Sequence, residues 1–470
     1  MTTPTLWLRR ATPFLLTGLL VLGFGVRLRH YLAAPSYWYD EAFVLVNVFD
    51  KSFTELAGPL RCEQAAPPLF LWSQRAIYVT AGGSEWAMRA PAFLASTLAV
   101  LAMVPLARRL TGGWLWAVGF AAVSQPAVFH TVCVKPYAGD LLATVLIYLA
   151  GARLLAGTGR GRWLMALVVA AVMPWYSYPS IFALGGLSLA LGIEAIRQRS
   201  WRFAPVGALF SLVWAGSFAA AWLMVGRNQQ THHLAAYWGH GFLDLSSFSS
   251  ALKWIVHCLY KLGDYGTTGM GVPLLLLGAV GAAALGRRSP ALLAMFLGQW
   301  ALAIGASAAR LYPLDDRLTF FAVPTVWLLA TVGVDTILGL RVAVSPKWAV
   351  AGLLALPLLP GVVRYGYWMA VVPAKCDFRP AFEYVQRRAA HDDLVWVSQP
   401  EVYEVYFGKD RSRLLGADGE PGRRRVWAVT TPGTDVDSLL DRGLELQARK
   451  SFKTIEVTLL AAPAQVALGR

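Results

Sequence analysis

Apolar runs of about twenty residues recur through most of this chain, each long enough to cross the ~30 Å hydrocarbon core of a bilayer. Lipid offers the backbone no hydrogen-bond partners, so runs of this kind fold as helices packed into a bundle. They lie near 12–32, 88–108, 112–130, 138–156, 162–178, 179–196, 204–225, 271–286, 290–308, 319–340 and 348–371, about eleven in all. With 56% hydrophobic and 15% charged residues, an ordinary soluble globular protein is excluded. The segment 67–80 is apolar but short, opens on Pro67-Pro68 and carries Gln74 and Arg75. It predicts an interfacial or re-entrant helix rather than a span.

Charge gives the bundle a direction. Arg9, Arg10, Arg108, Arg109, Arg160, Arg162, Arg197, Arg199, Arg202, Arg287, Arg288, Arg341 and Lys347 fall at alternate span ends that hold almost no acids. The positive-inside rule assigns those ends to the cytoplasm. The other ends carry Asp40, Glu41, Glu63, Glu85, Asp140, Asp244, Asp264, Asp315 and Asp316. The N-terminus is then inside, and an odd number of spans leaves the C-terminal tail outside the cytoplasmic membrane. This bias accounts for the formal net charge of +15, so no nucleic-acid partner is called for. The first apolar stretch lacks a convincing small-residue cleavage site and reads as a retained span. Cys62, Cys133, Cys258 and Cys376 all map to the outer side, where they are either free thiols or one of three possible disulfide pairings.

Three outer segments are long enough to build something. The first, 33–87, predicts a short surface helix beginning near Asp40. The second, 226–270, holds His232-His233, Tyr237-Trp238 and an amphipathic stretch around Trp254–Lys261. The third follows residue 371 and changes character, with frequent charges and no further span. Helices over Phe382–Ala389 and Val436–Ala448 and strands at Leu394–Val397, Arg425–Val429 and Thr454–Leu460 predict a small α/β domain there. The chain thus divides into a transmembrane part, 1–371, and an extracytoplasmic domain, 372–470. The tail has no Gly-rich phosphate fingerprint and reads as a lid or docking surface.

Chemistry points to Tyr39-Asp40-Glu41, a carboxylate pair flanked by aromatic residues just beyond the first span. Acids at a membrane surface are costly to desolvate and mark functional sites. On the outer side they are joined by the cations Lys135 and Arg317 and the imidazoles His232 and His233. No nucleoside triphosphate is expected there, so an enzyme needs a donor activated beforehand. A sugar on a polyprenyl phosphate meets that need, since its tail lies in lipid and its sugar projects outward. Transfer then requires a carboxylate to take the acceptor's proton and positive charge to hold the phosphate.

Three segments resemble the family 39 glycosyltransferases, membrane enzymes of the GT-C fold that include protein O-mannosyltransferases and lipid A aminoarabinose transferases. They are Tyr39-Asp40-Glu41-Ala42-Phe43, then Pro67-Pro68-Leu69-Phe70 followed by Ser84-Glu85-Trp86-Ala87-Met88-Arg89-Ala90-Pro91, and Lys135-Pro136-Tyr137-Ala138. Asp316-Arg317-Leu318, before a span containing Pro324, is a looser match. The resemblance implies that Asp40 is the catalytic carboxylate, contacting the acceptor or a divalent cation, with Glu41 in support. It also implies a polyprenyl-phosphate sugar as donor and a lipid, glycan or protein hydroxyl as acceptor. Two departures stand out: Ala66 precedes Pro67-Pro68 where relatives often have His or Lys, and Lys135 stands where many have Arg. Lysine keeps the charge but loses the bidentate fork.

The resulting candidates are Asp40 and Glu41 for catalysis, and Lys135, Tyr137, Arg317, Tyr39, Asp140, His232 and His233 for substrate. Tyr37, Trp38 and Tyr39 are candidates to line a sugar pocket. Plain structural roles compete with these: Asp40 as a helix N-cap, Glu41 as a dipole partner, Lys135 as a snorkelling side chain and Arg317 as a surface partner of Asp315 or Asp316. Asp140 could pair with Arg27 or Lys135, and Arg89 could anchor the end of its span. A transporter or flippase is the rival function, because such proteins place charges and broken helices near midspan. A sensor or scaffold would leave the carboxylate pair without a task.

Overall fold

The apolar runs fold as helices, and their ends bring the polar loops together. The computed structural model describes residues 4–463, apart from 158, 199–202, 231–235, 268–269, most of 340–374 and a few positions between 409 and 435. The bundle region contains α1 (Pro4–Ala33), α2 (Tyr39–Asp50), α3 (Pro68–Ala81), α4 (Glu85–Leu110), α5 (Leu115–Val123), α6 (Gln125–Phe129) and α7 (Tyr137–Leu155). It continues with α8 (Arg160–Tyr176), α9 (Ser180–Arg197), α10 (Phe203–Met224), α11 (Phe248–Thr267), α12 (Gly271–Arg288), α13 (Pro290–Ala308) and α14 (Val323–Gly339). Among the described residues eight helices are long and apolar enough to cross a membrane. Helix α8, at 17 residues, lies at the short end of the spanning range. Most of the stretch 348–371 lies outside the described residues. Phe14, Leu98, Leu164 and Leu212 are exposed on the bundle's flank, as side chains facing lipid should be.

One expected span takes a different form. Residues 112–130 are two helices, α5 and α6, bent by 54° around Ser124. Pro126 has no N–H to offer the carbonyl four residues back, that of Ala122. Arg27 replaces the lost bonds, donating to the Ala122 carbonyl at 3.0 Å, the Ala121 carbonyl at 2.9 Å and Ser96 Oγ at 2.9 Å. A guanidinium inside the bundle is thereby explained without an acidic partner: it caps a broken helix. Elsewhere helices meet through glycine. A Cβ on Gly281 would collide with the Leu329 carbonyl, and one on Gly333 with that of Leu277, so α12 and α14 touch backbone to backbone.

A buried ion pair fastens the loops at one end of the bundle. Glu41, in the first turn of α2, accepts Arg89 Nη2 at 2.8 Å and Nε at 3.3 Å, with both side chains almost fully enclosed at 1% and 2% exposure. The same carboxylate accepts the Trp38 N–H at 3.2 Å, which satisfies the N-cap amide of α2, and the Val134 N–H at 2.8 Å. Arg89 also donates to the Pro35 and Ser36 carbonyls and lies over the Tyr37 ring. It is thus not a simple span anchor, because its guanidinium organises the loop before α2.

The tail comprises α15 (Phe378–Arg388), β1 (Leu394–Val397), α16 (Pro400–Phe407), β2 (Val426–Thr430), α17 (Asp437–Leu440), β3 (Glu445–Ser451) and β4 (Glu456–Ala461). The sheet order is β1-β2-β4-β3, with β1 parallel to β2 and the other pairs antiparallel. The helix expected over Val436–Ala448 stops after α17: Gly443 takes φ +77°, and the chain turns into β3, an exposed edge strand. The tail's core is continuous with α2 through Trp38 and Ala42, which pack with Phe378, Phe382 and Val402. Polar clamps reinforce this: Glu85 accepts Arg379 at 3.1 Å and Tyr406 Oη at 3.0 Å, and Arg61 grips Glu404 through two bonds of 2.9 and 3.1 Å. All four cysteines are present as unpaired thiols.

Two outcomes test this packing. Gly281→Val should force α12 and α14 apart and lower stability by about 1–3 kcal/mol. It would be seen as an earlier unfolding transition in detergent, and an unmoved transition would contradict the close approach. Glu41→Gln should cost about 3–5 kcal/mol, because Arg89 is left as an uncompensated buried charge. Glu41→Gln combined with Arg89→Met should recover much of that loss in the same measurement; a double variant no better than the single would contradict the pairing.

Candidate functional site

Asp40 follows Tyr39 into α2 and does not cap the helix, since Trp38 occupies the N-cap position. Its carboxylate faces two cations. Lys135 Nζ lies 2.8 Å from Oδ1 and Arg317 Nη1 lies 2.9 Å from Oδ2. The three residues come from the first turn of α2, the turn before α7 and the segment leading into α14. Burial raises the Asp40 pKa, but attraction to Lys135 and Arg317 outweighs it and holds the carboxyl below its ordinary value. Burial lowers the Lys135 ammonium, with Asp40 pulling it back up. Lys135 therefore does not snorkel: it points at Asp40 and also donates to Gln64 Oε1 at 2.7 Å.

Glu41 stands beside Asp40 in sequence but turns to Arg89 and the Val134 N–H. One carboxylate meets the two cations, while the other positions the backbone that carries Asp40 and Lys135. Both Asp40 oxygens are committed to cations and Glu41 is committed to Arg89. Among the described residues no three His, Cys, Asp or Glu side chains converge as ligands. This donor set does not fit the divalent cation considered for Asp40.

A cavity of about 530 Å³ opens beside the cluster, lined by Gln125, Pro126, Phe129, His130, Tyr237, Trp238, His240, Tyr265, Asp315, Arg317 and Lys375. The bend between α5 and α6 matters here, because Gln125, Pro126 and Phe129 of α6 form part of the wall. His130 Nε2 meets Tyr265 Oη at 2.6 Å. Asp315 binds Lys261 Nζ at 2.8 Å and His240 Nε2 at 3.1 Å. Arg317 is therefore not the surface partner of Asp315; it reaches Asp40 across 277 positions of sequence.

The remaining candidates fall in varied places. Tyr137 is near the cluster, its ring centroid 5.9 Å from the Arg317 guanidinium and 4.9 Å from the His130 ring. Tyr39 is 37% exposed and stacks edge-on with Trp38. Tyr37 and Trp38 are buried, the former beneath Arg89 and the latter in the tail's core. Asp140 is buried in the first turn of α7 and pairs with neither Arg27 nor Lys135, whose partners lie elsewhere. His232 and His233 lie outside the described residues.

Sequence reasoning overlooked His130, His240, Gln64 and Lys375. For Lys375 a signal was available: it follows the last apolar run at a span end that the charge pattern assigns to the outer side, where cations are disfavoured, as Lys135 and Arg317 flank earlier runs at ends of the same kind.

Neither a family model nor a curated protein matches the sequence. Solved structures do match. The chain is similar to ArnT from Cupriavidus metallidurans, in a crystal structure bound to undecaprenyl phosphate, with a TM-score of 0.52 and 16% identity over 95% of this chain and 100% of that one. It is similar to the same protein in the apo state, with a TM-score of 0.50 and 16% identity over 95% and 99% of the two chains. ArnT is a lipid A aminoarabinose transferase of the GT-C fold. At this identity the likeness concerns architecture, and this chain accordingly has the GT-C fold: a polytopic helical membrane bundle with a small C-terminal domain.

Proposed function

We propose that this chain is an inverting glycosyltransferase that moves a sugar from a polyprenyl-phosphate donor to a hydroxyl of a lipid, glycan or protein. The observation that carries this reading is Asp40 with a cation on each carboxylate oxygen, beside a cavity at one end of the bundle. The donor class draws support from the likeness to ArnT bound to undecaprenyl phosphate. By the positive-inside rule the site faces the extracytoplasmic side of the cytoplasmic membrane, and residues 372–470 form a domain over it.

The cations have two possible anions to serve. With the donor absent, Lys135 and Arg317 neutralise Asp40 and keep it a weak base. Donor phosphate draws them away, and the carboxylate regains basicity as the substrate arrives. Asp40 then takes the acceptor's proton while the acceptor oxygen bonds to the anomeric carbon. The bond from that carbon to the phosphate oxygen breaks, its electron pair leaving with the phosphate, and a single displacement inverts the centre. Lys135 and Arg317 stabilise the departing phosphate. A transporter is less well supported, because Arg27, the charge nearest midspan, is taken up by helix carbonyls and Ser96.

Lipid and glycan profiles of cells with and without the gene should reveal one missing product and one accumulated polyprenyl-linked sugar. Asp40→Asn, expressed at wild-type abundance, should fail to restore the product, with transfer lowered by about 10²–10⁴-fold; restoration would overturn its role. Arg317→Ala should weaken undecaprenyl phosphate binding by roughly 10–100-fold, the loss of one charge-assisted bond. Titration of the purified chain checks this, and unchanged affinity would remove Arg317 from the phosphate site.

A further inference from the structure

Lys375 lines the same cavity. It lies just before α15, so it belongs to the tail rather than to the bundle. Its ammonium sits 3.4 Å from the centre of the Trp38 ring and 4.7 Å from that of Phe129. Among the described residues no carboxylate lies within ion-pair distance of it. Trp38 is two positions from Asp40, and Phe129 is a cavity wall, so the charge is held over the site by aromatic faces alone. Such contacts are worth about 0.5–2 kcal/mol, less than a charge-assisted bond to phosphate. A phosphate in the cavity would therefore outcompete them.

We infer that Lys375 is a third phosphate-binding cation, supplied by the C-terminal tail and matched to the charge that appears when the sugar leaves. The inference rests on the transferase reading above. Asp40 offsets one of its two cations, leaving the cluster with one net positive charge. That suits a polyprenyl-phosphate sugar, a phosphodiester with one negative charge. Breaking the carbon–oxygen bond gives a phosphate monoester with a second negative charge while Asp40 is neutralised by the acceptor's proton; once that proton has left, the cluster alone is one positive charge short. Lys375 provides it, and an interaction stronger with the cleaved monoester than with the diester favours the cleaved state. Burial lowers the Lys375 pKa, with Arg317 adding to the effect, so an arriving anion would favour its charged form.

The test uses the full purified chain and two probes: undecaprenyl phosphate, a monoester, and its methyl ester, a diester with one charge. Lys375→Ala should weaken monoester binding about tenfold and diester binding no more than about threefold, while Lys375→Arg stays close to wild type for both. An unchanged unfolding transition in both variants excludes misfolding as the cause. Equal losses for the two lipids, or none, would overturn the inference while leaving the transferase reading in place. A wild-type chain that binds neither lipid would overturn both.

Discussion

Glu41 and Arg89 form the bond on which the site's geometry depends. Their two side chains gather the loop before α2, the first turn of α2, the start of α4 and the backbone of Val134 into one unit. Asp40 precedes Glu41 and Lys135 follows Val134, so the pair fixes both ends of the first ionic contact in the site without touching the cavity. Burying two charges is costly unless every hydrogen-bonding direction is used. Here Glu41 accepts from two backbone amides as well as the guanidinium, and Arg89 spends its remaining donors on carbonyls. Neighbouring acids thus divide the labour: one is enclosed with Arg89, the other meets the two cations beside the cavity.

Much of this was legible in the sequence, for identifiable reasons. Span positions follow from the length of apolar runs, which the bilayer imposes directly. Asp40, Lys135 and Arg317 stood out because charges at outer span ends need an explanation, and the fold brings those three together. The partner of Glu41 was not legible, since Arg89 lies 48 positions away and reads equally well as a span anchor. The break at Ser124 was missed because hydropathy averages over Pro126. The role of Arg27 was not legible either: its partners are mainly carbonyls, which carry no sequence signal. In the tail, the polar stretch from Glu445 to Ser451 lacks the apolar alternation that identifies strands, because both faces of this edge strand are exposed.

The bend between α5 and α6 links architecture to the site. A straight helix through 112–130 would carry Gln125, Pro126 and Phe129 along a spanning path. Bent, they form a cavity wall next to Arg317 and beneath Lys375. The proline that breaks the helix and the arginine that repairs its carbonyls are together a structural precondition for the pocket. In a membrane, irregular backbone is tolerated where it faces a cavity or is buried in protein, and both conditions hold here.

The 277 positions between Asp40 and Arg317 also set an order of assembly. A ribosome adding about 5–20 residues per second needs roughly 15–55 s to travel that distance. From the synthesis of Lys135 until that of Arg317, the nascent chain holds an acid and its first lysine in the membrane surface with no second cation. The constellation is completed only when the late helices insert, and the tail can settle on Trp38 only after them. A stalled or truncated product would therefore expose a half-built pocket, in which Asp40 faces one cation instead of two.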